Sequence, residues 1–199
     1  MEKTILYIHG QGGTIEEAKH YQMLLPTYHI IGLDYKKETP WETKEEFLSF
    51  YKQLSKQYEN ISIIANSIGS YFAMNAFSSV KIEQAFFISP IVDMEKLIKN
   101  MMFLAKITEQ ELEEKKEIKT SFGQTLSWQY FSYVCKNPIL WKKPTHILYG
   151  DKDNLTDFET ISSFAKNIKA SLKIMPEGEH WFHTAEQMSF LDSWLKQYL

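Results

Sequence analysis

The stretch ISIIANSIG at residues 61–69 decides how this chain is interpreted. Its first five residues, 61–65, are rich in β-branched side chains and predict a buried strand. A helical pattern follows over 68–80, so Ser67 falls in the turn between strand and helix. A small residue, any residue, serine, any residue and glycine form the arrangement of a nucleophile elbow, which pushes the serine hydroxyl out of a tight turn. The stretch predicts Ser67 as a nucleophile, and the alternative is a serine that only caps the helix.

Short apolar runs and longer amphipathic stretches alternate along most of the chain. The predicted strands are 4–8, 29–33, 61–65, 84–89, 145–149 and 171–175. The predicted helices are 15–25, 43–58, 68–80, 158–167 and 185–199. Thr43 and Glu46 have the spacing of a capping box at the start of the second helix. This alternation predicts a doubly wound, mostly parallel α/β sheet of about six strands.

The segment 92–141 interrupts this rhythm, because it shows no predicted strand between the fourth and the fifth. It contains an apolar cluster at 101–104, a charged helix candidate at 108–119 and an aromatic stretch at 128–133. An insertion of this size after a strand is typical of a cap, so we expect a helical cap within one domain, 1–199. Ordinary helices flanking the sheet are the alternative.

Composition excludes several classes of function. The chain has 199 residues, 44% of them hydrophobic and 24% charged, which predicts one globular domain rather than a disordered chain. The net charge is -3 and all 22 basic residues are lysines, so no arginine is present for bidentate phosphate recognition. We therefore expect neither nucleic-acid binding nor a phosphoryl-transfer reaction that needs an arginine finger.

Cysteine content and hydropathy bear on the cellular compartment. Cys135 is the single cysteine and cannot form an intramolecular disulfide. The apolar run at 5–8 is too short for the hydrophobic part of a signal peptide or for a membrane span. We expect a soluble cytoplasmic protein without a membrane span.

Glycines concentrate where the predicted strands end. Six of the eight glycines fall in four turns that follow predicted strands: Gly10, Gly12, Gly13, Gly69, Gly150 and Gly178. Ligands of an open parallel sheet bind beyond the carboxyl ends of its strands, where the backbone must bend sharply or approach a ligand closely. The glycines therefore predict a site at this edge of the sheet.

Three more loops share this edge with the elbow: HGQGG at 9–13, LYGDKD at 148–153 and PEGEHWF at 176–182. With the elbow, they resemble the oxyanion, acid and histidine loops of the α/β-hydrolase superfamily, in its chain order of serine, aspartate and histidine. The resemblance extends over most of the chain. One departure is Ala65, where glycine is commonest; another is the absence of predicted strands before Thr4, which implies a small sheet.

The resemblance implies a role for each matching residue. Ser67 would be the nucleophile, His180 the general base and then acid, and Asp153 the group that orients the imidazole. The backbone N–H groups of Gln11 and Ile68 would form the oxyanion hole. This machinery implies a serine hydrolase that cleaves a small or medium acyl ester through an acyl-enzyme, with no metal or organic cofactor.

Rivals exist for several of these residues. Asp151 and Asp93 are alternative acids, because each also follows a predicted strand. His183 is an alternative to His180. We expect His9 to shape the oxyanion loop by hydrogen bonding rather than to transfer protons.

Alternative functions also remain open. The same residues would serve an acyltransferase, a thioesterase or an amidase, and a non-catalytic ligand-binding protein could be built on the same scaffold. Trp181 and Phe182 are candidates either for the wall of an apolar substrate site or for core packing. If they and the apolar cluster at 101–104 line the site, they favour an acyl chain over a charged substrate.

Overall fold

A computed structural model describes residues 3–199, and a parallel sheet of six strands forms its centre. Six of the eight strands in this part of the chain build that sheet, in the order β2-β1-β3-β4-β7-β8, and every pairing within it is parallel. The eight strands are β1 Lys3–Ile8, β2 Tyr28–Gly32, β3 Ile61–Asn66, β4 Ala85–Ile88, β5 Glu117–Lys119, β6 Thr125–Ser127, β7 Thr145–Gly150 and β8 Ser171–Met175. The predicted six-stranded α/β sheet is confirmed.

Helices connect the strands of the six-stranded sheet. Over residues 3–199, the helical elements are a 3₁₀ turn Ile15–Glu17, α1 Ala18–Leu24, α2 Pro40–Leu54, α3 Ile68–Phe77, α4 Met94–Ala105, α5 Glu109–Lys115, α6 Trp128–Lys136, α7 Phe158–Ile168 and α8 Ala185–Leu195. None of the helices in this part of the chain is long and apolar enough to cross a lipid bilayer.

The start of α2 differs from the prediction. The helix begins at Pro40, and the N-cap is Thr39, whose hydroxyl oxygen accepts a hydrogen bond from Glu42 N at 3.4 Å. Proline is favoured at a first helical position because its φ is already helical and its missing N–H would have no partner there. Thr43 lies one turn inside the helix, where its hydroxyl donates to Thr39 O at 2.9 Å. The predicted capping box of Thr43 and Glu46 is therefore wrong.

Continuous apolar runs mark the inner strands, because both faces of the sheet are covered. Strand β4 is buried along its whole length, and β1 is buried from Thr4 onward. On one face, Tyr7, Ile64 and Phe86 share an apolar cluster with residues of α1 and α8. Strand β8 lies at the edge of the sheet and has partly exposed residues.

The strand order reverses between β1 and β3. The chain passes from β1 outward to β2 through α1, crosses back beside β1 as β3, and then continues through α3 to β4 on the other side. Connections that leave two neighbouring strands in opposite directions open a crevice at the carboxyl ends of those strands. Ser67 follows β3 directly at this point.

Residues Asp93–Ile139 form a second compact unit, which lies between β4 and β7 in sequence. It contains α4, α5, α6 and an antiparallel pair of strands, β5 and β6. The prediction of no strand in this segment is therefore wrong. The helix predicted for 108–119 ends at Lys115, because Lys116 has a left-handed φ of 67° and the chain then enters β5.

Candidate active site

Ser67 occupies a strained turn between β3 and α3. Its φ of 49° and ψ of -123° lie in a region that side chains other than glycine rarely adopt. The surrounding backbone holds it there, because Ser67 N donates to Ile88 O at 2.9 Å and Ser67 O accepts from Ser70 N at 3.0 Å. Within the described residues, the Ser67 side chain caps no N–H of α3. The conformation is that of an elbow that presents the hydroxyl to the sheet edge.

The first loop, residues 9–13, packs directly against this elbow. A Cβ atom added to Gly69 would lie 2.3 Å from His9 O, and one added to Gly10 would lie 3.3 Å from Ser67 Cβ. Real Cβ atoms do not come as close as the first of these distances, so Gly69 must lack a side chain. These contacts show that the loop after β1 lies beside Ser67.

Two further loops are joined at the ends of β7 and β8. A Cβ added to Gly150 would lie 2.2 Å from Gly178 O, so the two glycines let these loops touch. Lys152 N then donates to Gly178 O at 2.8 Å, and Asp151 N donates to Met175 O at 3.2 Å. Backbone contacts therefore fix the acid loop against the histidine loop.

A continuous chain of hydrogen bonds runs from Ser67 to Asp153. Ser67 Oγ lies 2.7 Å from His180 Nε2, and His180 Nδ1 lies 2.7 Å from Asp153 Oδ2. An ionised carboxylate only accepts hydrogen bonds, so Nδ1 carries the proton and Nε2 is free to accept from the serine hydroxyl. The imidazole is thereby set to take a proton from Ser67.

Asp153 is held on both of its oxygens. Its side chain is 0% exposed, and its Oδ1 atom accepts from Leu155 N at 2.8 Å and from Thr156 N at 3.0 Å. Tyr149 supports the same turn, since its buried hydroxyl donates to Thr156 O at 2.9 Å. Burial raises the pKa of Tyr149 and the charge of Asp153 raises it further, so this hydroxyl stays a donor. The turn leaves Oδ2 directed at His180.

The rival acid and base candidates have other contacts. His180 pairs with Asp153, whereas Asp151 is exposed at the start of the same turn. Asp93 is the N-cap of α4 and accepts from Lys96 N at 2.8 Å. His183 Nδ1 lies 2.7 Å from Trp181 O.

His9 contacts the first loop itself. Its Nδ1 atom lies 2.8 Å from Gly10 O, and its ring stacks on Tyr35 with centroids 4.3 Å apart. The Tyr35 hydroxyl donates to His9 O at 2.8 Å. These contacts fix the loop that carries Gln11.

The two predicted oxyanion donors lie in the segments on either side of Ser67. Ile68 is the first residue of α3, and the first N–H groups of a helix have no acceptor within that helix. Gln11 follows Gly10, within a turn closed by a hydrogen bond of 3.1 Å from Gly13 N to Gly10 O. An anion placed beside the elbow would meet the positively polarised N-terminus of α3.

The two aromatic residues that follow His180 differ in burial. Phe182 is buried in the apolar cluster of α1 and α8, whereas 73% of the Trp181 surface is exposed. Core packing therefore explains Phe182, and Trp181 remains the candidate for contact with a substrate.

Sequence reasoning missed a polar network beneath the elbow. Asn66 Nδ2 donates to Tyr7 Oη at 2.9 Å, and Tyr7 Oη donates to Glu17 Oε2. The available signal was the spacing of Thr14 and Glu17, which form a capping box at the 3₁₀ turn after the first loop. Tyr7 gives no local signal, because a tyrosine in an apolar strand is indistinguishable from ordinary core.

Comparison with solved structures identifies the same fold in several hydrolases. Est1E from Butyrivibrio proteoclasticus superposes with a TM-score of 0.76 at 18% identity, covering 99% of this chain and 86% of that one. Mouse alpha/beta hydrolase domain-containing protein 10 gives 0.75 at 16% identity, covering 98% and 88%. Esterase Pf2001 from Pyrococcus furiosus gives 0.67 at 19% identity, covering 100% and 81%. At these identities the likeness establishes the fold alone.

Sequence comparison adds the family. No curated protein matches the chain. A family model described as alpha/beta hydrolase of unknown function (DUF900) matches residues 26–155, which is more than half of the chain and includes the elbow. Together with the parallel sheet and the elbow after β3, this match shows that the chain belongs to the DUF900 family of α/β hydrolases.

Proposed function

We propose that this protein is a serine esterase that cleaves a small or medium acyl ester through an acyl-enzyme on Ser67. The observation that carries the proposal is the hydrogen-bonded series Ser67 Oγ, His180 and Asp153, with both distances at 2.7 Å. A strained serine backed by an imidazole and a buried carboxylate is the arrangement that acyl transfer needs. Several hydrolases of the same fold are described as esterases, which supports the choice of an ester.

Acylation begins when Ser67 Oγ attacks the ester carbonyl carbon and its proton passes to His180 Nε2. The carbonyl oxygen becomes an oxyanion, which accepts hydrogen bonds from the N–H groups of Ile68 and Gln11. The intermediate then collapses as the carbon–oxygen bond to the alcohol breaks and His180 returns the proton to the leaving oxygen. Fixed donors of this kind contribute about 3 kcal/mol each to the transition state.

Deacylation repeats these steps with water. His180 takes a proton from the water as its oxygen attacks the acyl-enzyme, and then returns that proton to Ser67 Oγ as the acid leaves. Asp153 stays ionised throughout, because its role is to hold the Nδ1 proton and stabilise the imidazolium. The two N–H donations to Asp153 Oδ1 fix the orientation of the carboxylate, so that Oδ2 stays on His180 Nδ1.

The first test compares ester turnover by the wild type and by Ser67→Ala, with p-nitrophenyl acetate and butyrate as substrates. Loss of the nucleophile should lower kcat by about 10⁶-fold, since the other triad members cannot act without it. Ser163→Ala, on the exposed side of α7, is the matched control and should retain wild-type turnover. Equal activity of Ser67→Ala and the wild type would contradict the proposed mechanism.

Covalent labelling separates an enzyme from a binding scaffold. A fluorophosphonate should add once to the wild-type chain, peptide mapping should locate the adduct at Ser67, and Ser67→Ala should stay unlabelled. An unreactive wild-type chain would favour the ligand-binding alternative. Parallel assays with thioester, amide and alcohol-acceptor substrates distinguish thioesterase, amidase and acyltransferase activity, since the same triad serves all of them.

Two other features remain predictions. Residues 92–141 are predicted to act as a cap, and the exposed Phe103 and Leu104 on α4 are candidates for contact with an acyl chain. A cytoplasmic location is likewise predicted from the sequence alone.

A further inference from the structure

A carboxylate outside the triad connects the first loop to the elbow. Glu17 Oε1 accepts from Thr14 N at 3.2 Å, at the end of the first loop. Its other oxygen, Oε2, accepts from Tyr7 Oη, which in turn accepts from Asn66 Nδ2 at 2.9 Å. Asn66 is the residue that directly precedes Ser67. Four side-chain and backbone groups therefore join the two segments that flank the serine hydroxyl.

This arrangement goes beyond helix capping. A capping-box glutamate needs only the N-cap N–H as its partner, and a second such pair in the chain, Thr184 with Gln187, caps α8. Glu17 also binds the hydroxyl of Tyr7, whose side chain is 0% exposed on the inner strand β1. Burial raises the pKa of Tyr7 well above its usual value, and the neighbouring Tyr21 and Glu17 raise it further. The hydroxyl is therefore a permanent donor to the carboxylate, and charge-assisted hydrogen bonds are the stronger kind.

The same carboxylate touches the turn that carries Gln11. A Cβ added to Gly13 would lie 2.7 Å from Glu17 Oε1 and 3.0 Å from His9 Cβ. Gly13 closes the turn through its hydrogen bond to Gly10 O at 3.1 Å. The turn is therefore enclosed by Glu17 at one end and by the elbow contact of Gly10 at the other.

We infer that Glu17 is a positioning residue, which acts through Tyr7 and Asn66 to set the separation between the Gln11 and Ile68 N–H groups. The inference rests on the proposed function, because it concerns the oxyanion that those N–H groups would bind. A strained serine persists only where its surroundings over-determine its conformation. The link from Glu17 to Asn66 supplies one such constraint, and it ties the elbow to the first loop.

The test uses Glu17→Gln and Tyr7→Phe in the full-length protein. Glutamine has one acceptor oxygen, so it cannot accept from both Thr14 N and Tyr7 Oη as Glu17 does. In Tyr7→Phe the hydroxyl that donates to Glu17 is absent. Misplacement of reacting groups by small distances costs up to about 100-fold in rate. We expect each variant to lower kcat about 10- to 100-fold with KM unchanged, and the double variant to be no worse than the single ones.

Glu42→Gln is the matched control. Glu42 is the corresponding glutamate in the first turn of α2, where it accepts from the Thr39 hydroxyl at 2.6 Å. Glu42→Gln should lower the melting temperature less than Glu17→Gln does, because Glu42 is partly exposed and binds Thr39 rather than the buried Tyr7 hydroxyl, while kcat stays at the wild-type value. Phenylboronic acid, which forms a tetrahedral adduct with a reactive serine, should lose affinity in Glu17→Gln by the same factor as kcat/KM, and in Glu42→Gln not at all.

Three results would overturn the inference. Wild-type kcat in Glu17→Gln, with Ser67→Ala inactive, would reject the positioning role and leave the proposed function intact. A fall in kcat without a matching loss of boronic-acid affinity would reduce Glu17 to a stabilising cap. A wild-type chain that neither hydrolyses esters nor accepts a fluorophosphonate would remove the proposed function and this inference together.

Discussion

The loops on the two sides of Ser67 are held in place by different means. The acid and histidine loops are joined by backbone, through the contact of Gly150 with Gly178 and the hydrogen bond from Lys152 N to Gly178 O. The first loop also contacts backbone, at Gly69 against His9 O, but its hydrogen bonds to Tyr35 and Glu17 are made by side chains. The acid and histidine loops therefore depend on glycines within local motifs, whereas the first loop also depends on the contacts of Tyr35 with His9 and of Glu17 with Tyr7, which no local motif contains.

Among substitutions in these loops, we expect the largest fall in kcat at Asp153 in the acid loop. Asp153→Asn should lower kcat about 10⁴-fold, because an amide no longer holds the imidazole in the tautomer that accepts the serine proton. Asp151→Asn is the matched control, two residues earlier in the same turn, and should keep wild-type kcat. A large loss in Asp151→Asn with a small one in Asp153→Asn would reverse the assignment of the acid.

The glycine contact provides the second test. Gly150→Ala would place a Cβ 2.2 Å from Gly178 O, so the acid and histidine loops must separate. We expect a loss of about 100-fold in kcat and about 1–3 kcal/mol in the free energy of unfolding. In Gly178→Ala the shortest contact is 3.0 Å, so both losses should be smaller. Urea denaturation and ester turnover measure them, and equal effects of the two variants would show that the backbone contact does not control the site.

We expect the smallest effects from the removal of two buried tyrosine hydroxyls, one in contact with each loop. Tyr35 donates to His9 O at 2.8 Å in the first loop, and Tyr149 donates to Thr156 O at 2.9 Å in the acid loop. Tyr35→Phe and Tyr149→Phe should each lower the free energy of unfolding by about 1 kcal/mol.

Only the first of the two substitutions should also lower kcat, by about 10-fold, because the acid loop retains its backbone contacts. Thermal unfolding and ester turnover provide the two readouts. A larger fall in kcat for Tyr149→Phe than for Tyr35→Phe would break the distinction between the loops.

The second compact unit shows where local patterns lose their information. Its helix α5 was predicted to continue to residue 119, but the chain leaves the helix at Lys116 and forms a hairpin of three-residue strands. Strands this short contain too few residues for a period of two to be recognised. Thr120 and Gln124 instead close the turn, with Thr120 Oγ1 donating to Gln124 O at 2.8 Å.

Periodicity determined the six strands of the main sheet, because burial on both faces requires unbroken apolar runs that are visible in the sequence. The helix limits were less secure, as the start of α2 at Pro40 shows, since two threonines with suitable neighbours lie within one turn of each other. When two residues are similarly good N-caps, the packing of the rest of the fold determines which one caps the helix. Here Thr43 is fully buried inside α2, and Thr39 is the N-cap.

The sequence by itself determined the strand–turn–helix unit around Ser67 and the order of the loops that follow the strands, since these depend on neighbours within about ten residues. The resemblance favoured Asp153 over Asp151, and the tertiary structure brings Asp153 to His180; the tertiary structure alone decided that Glu17 and Tyr7 meet beneath Asn66. Those contacts join residues far apart in the chain, and their geometry follows from strand register and turn conformation, which no local pattern encodes.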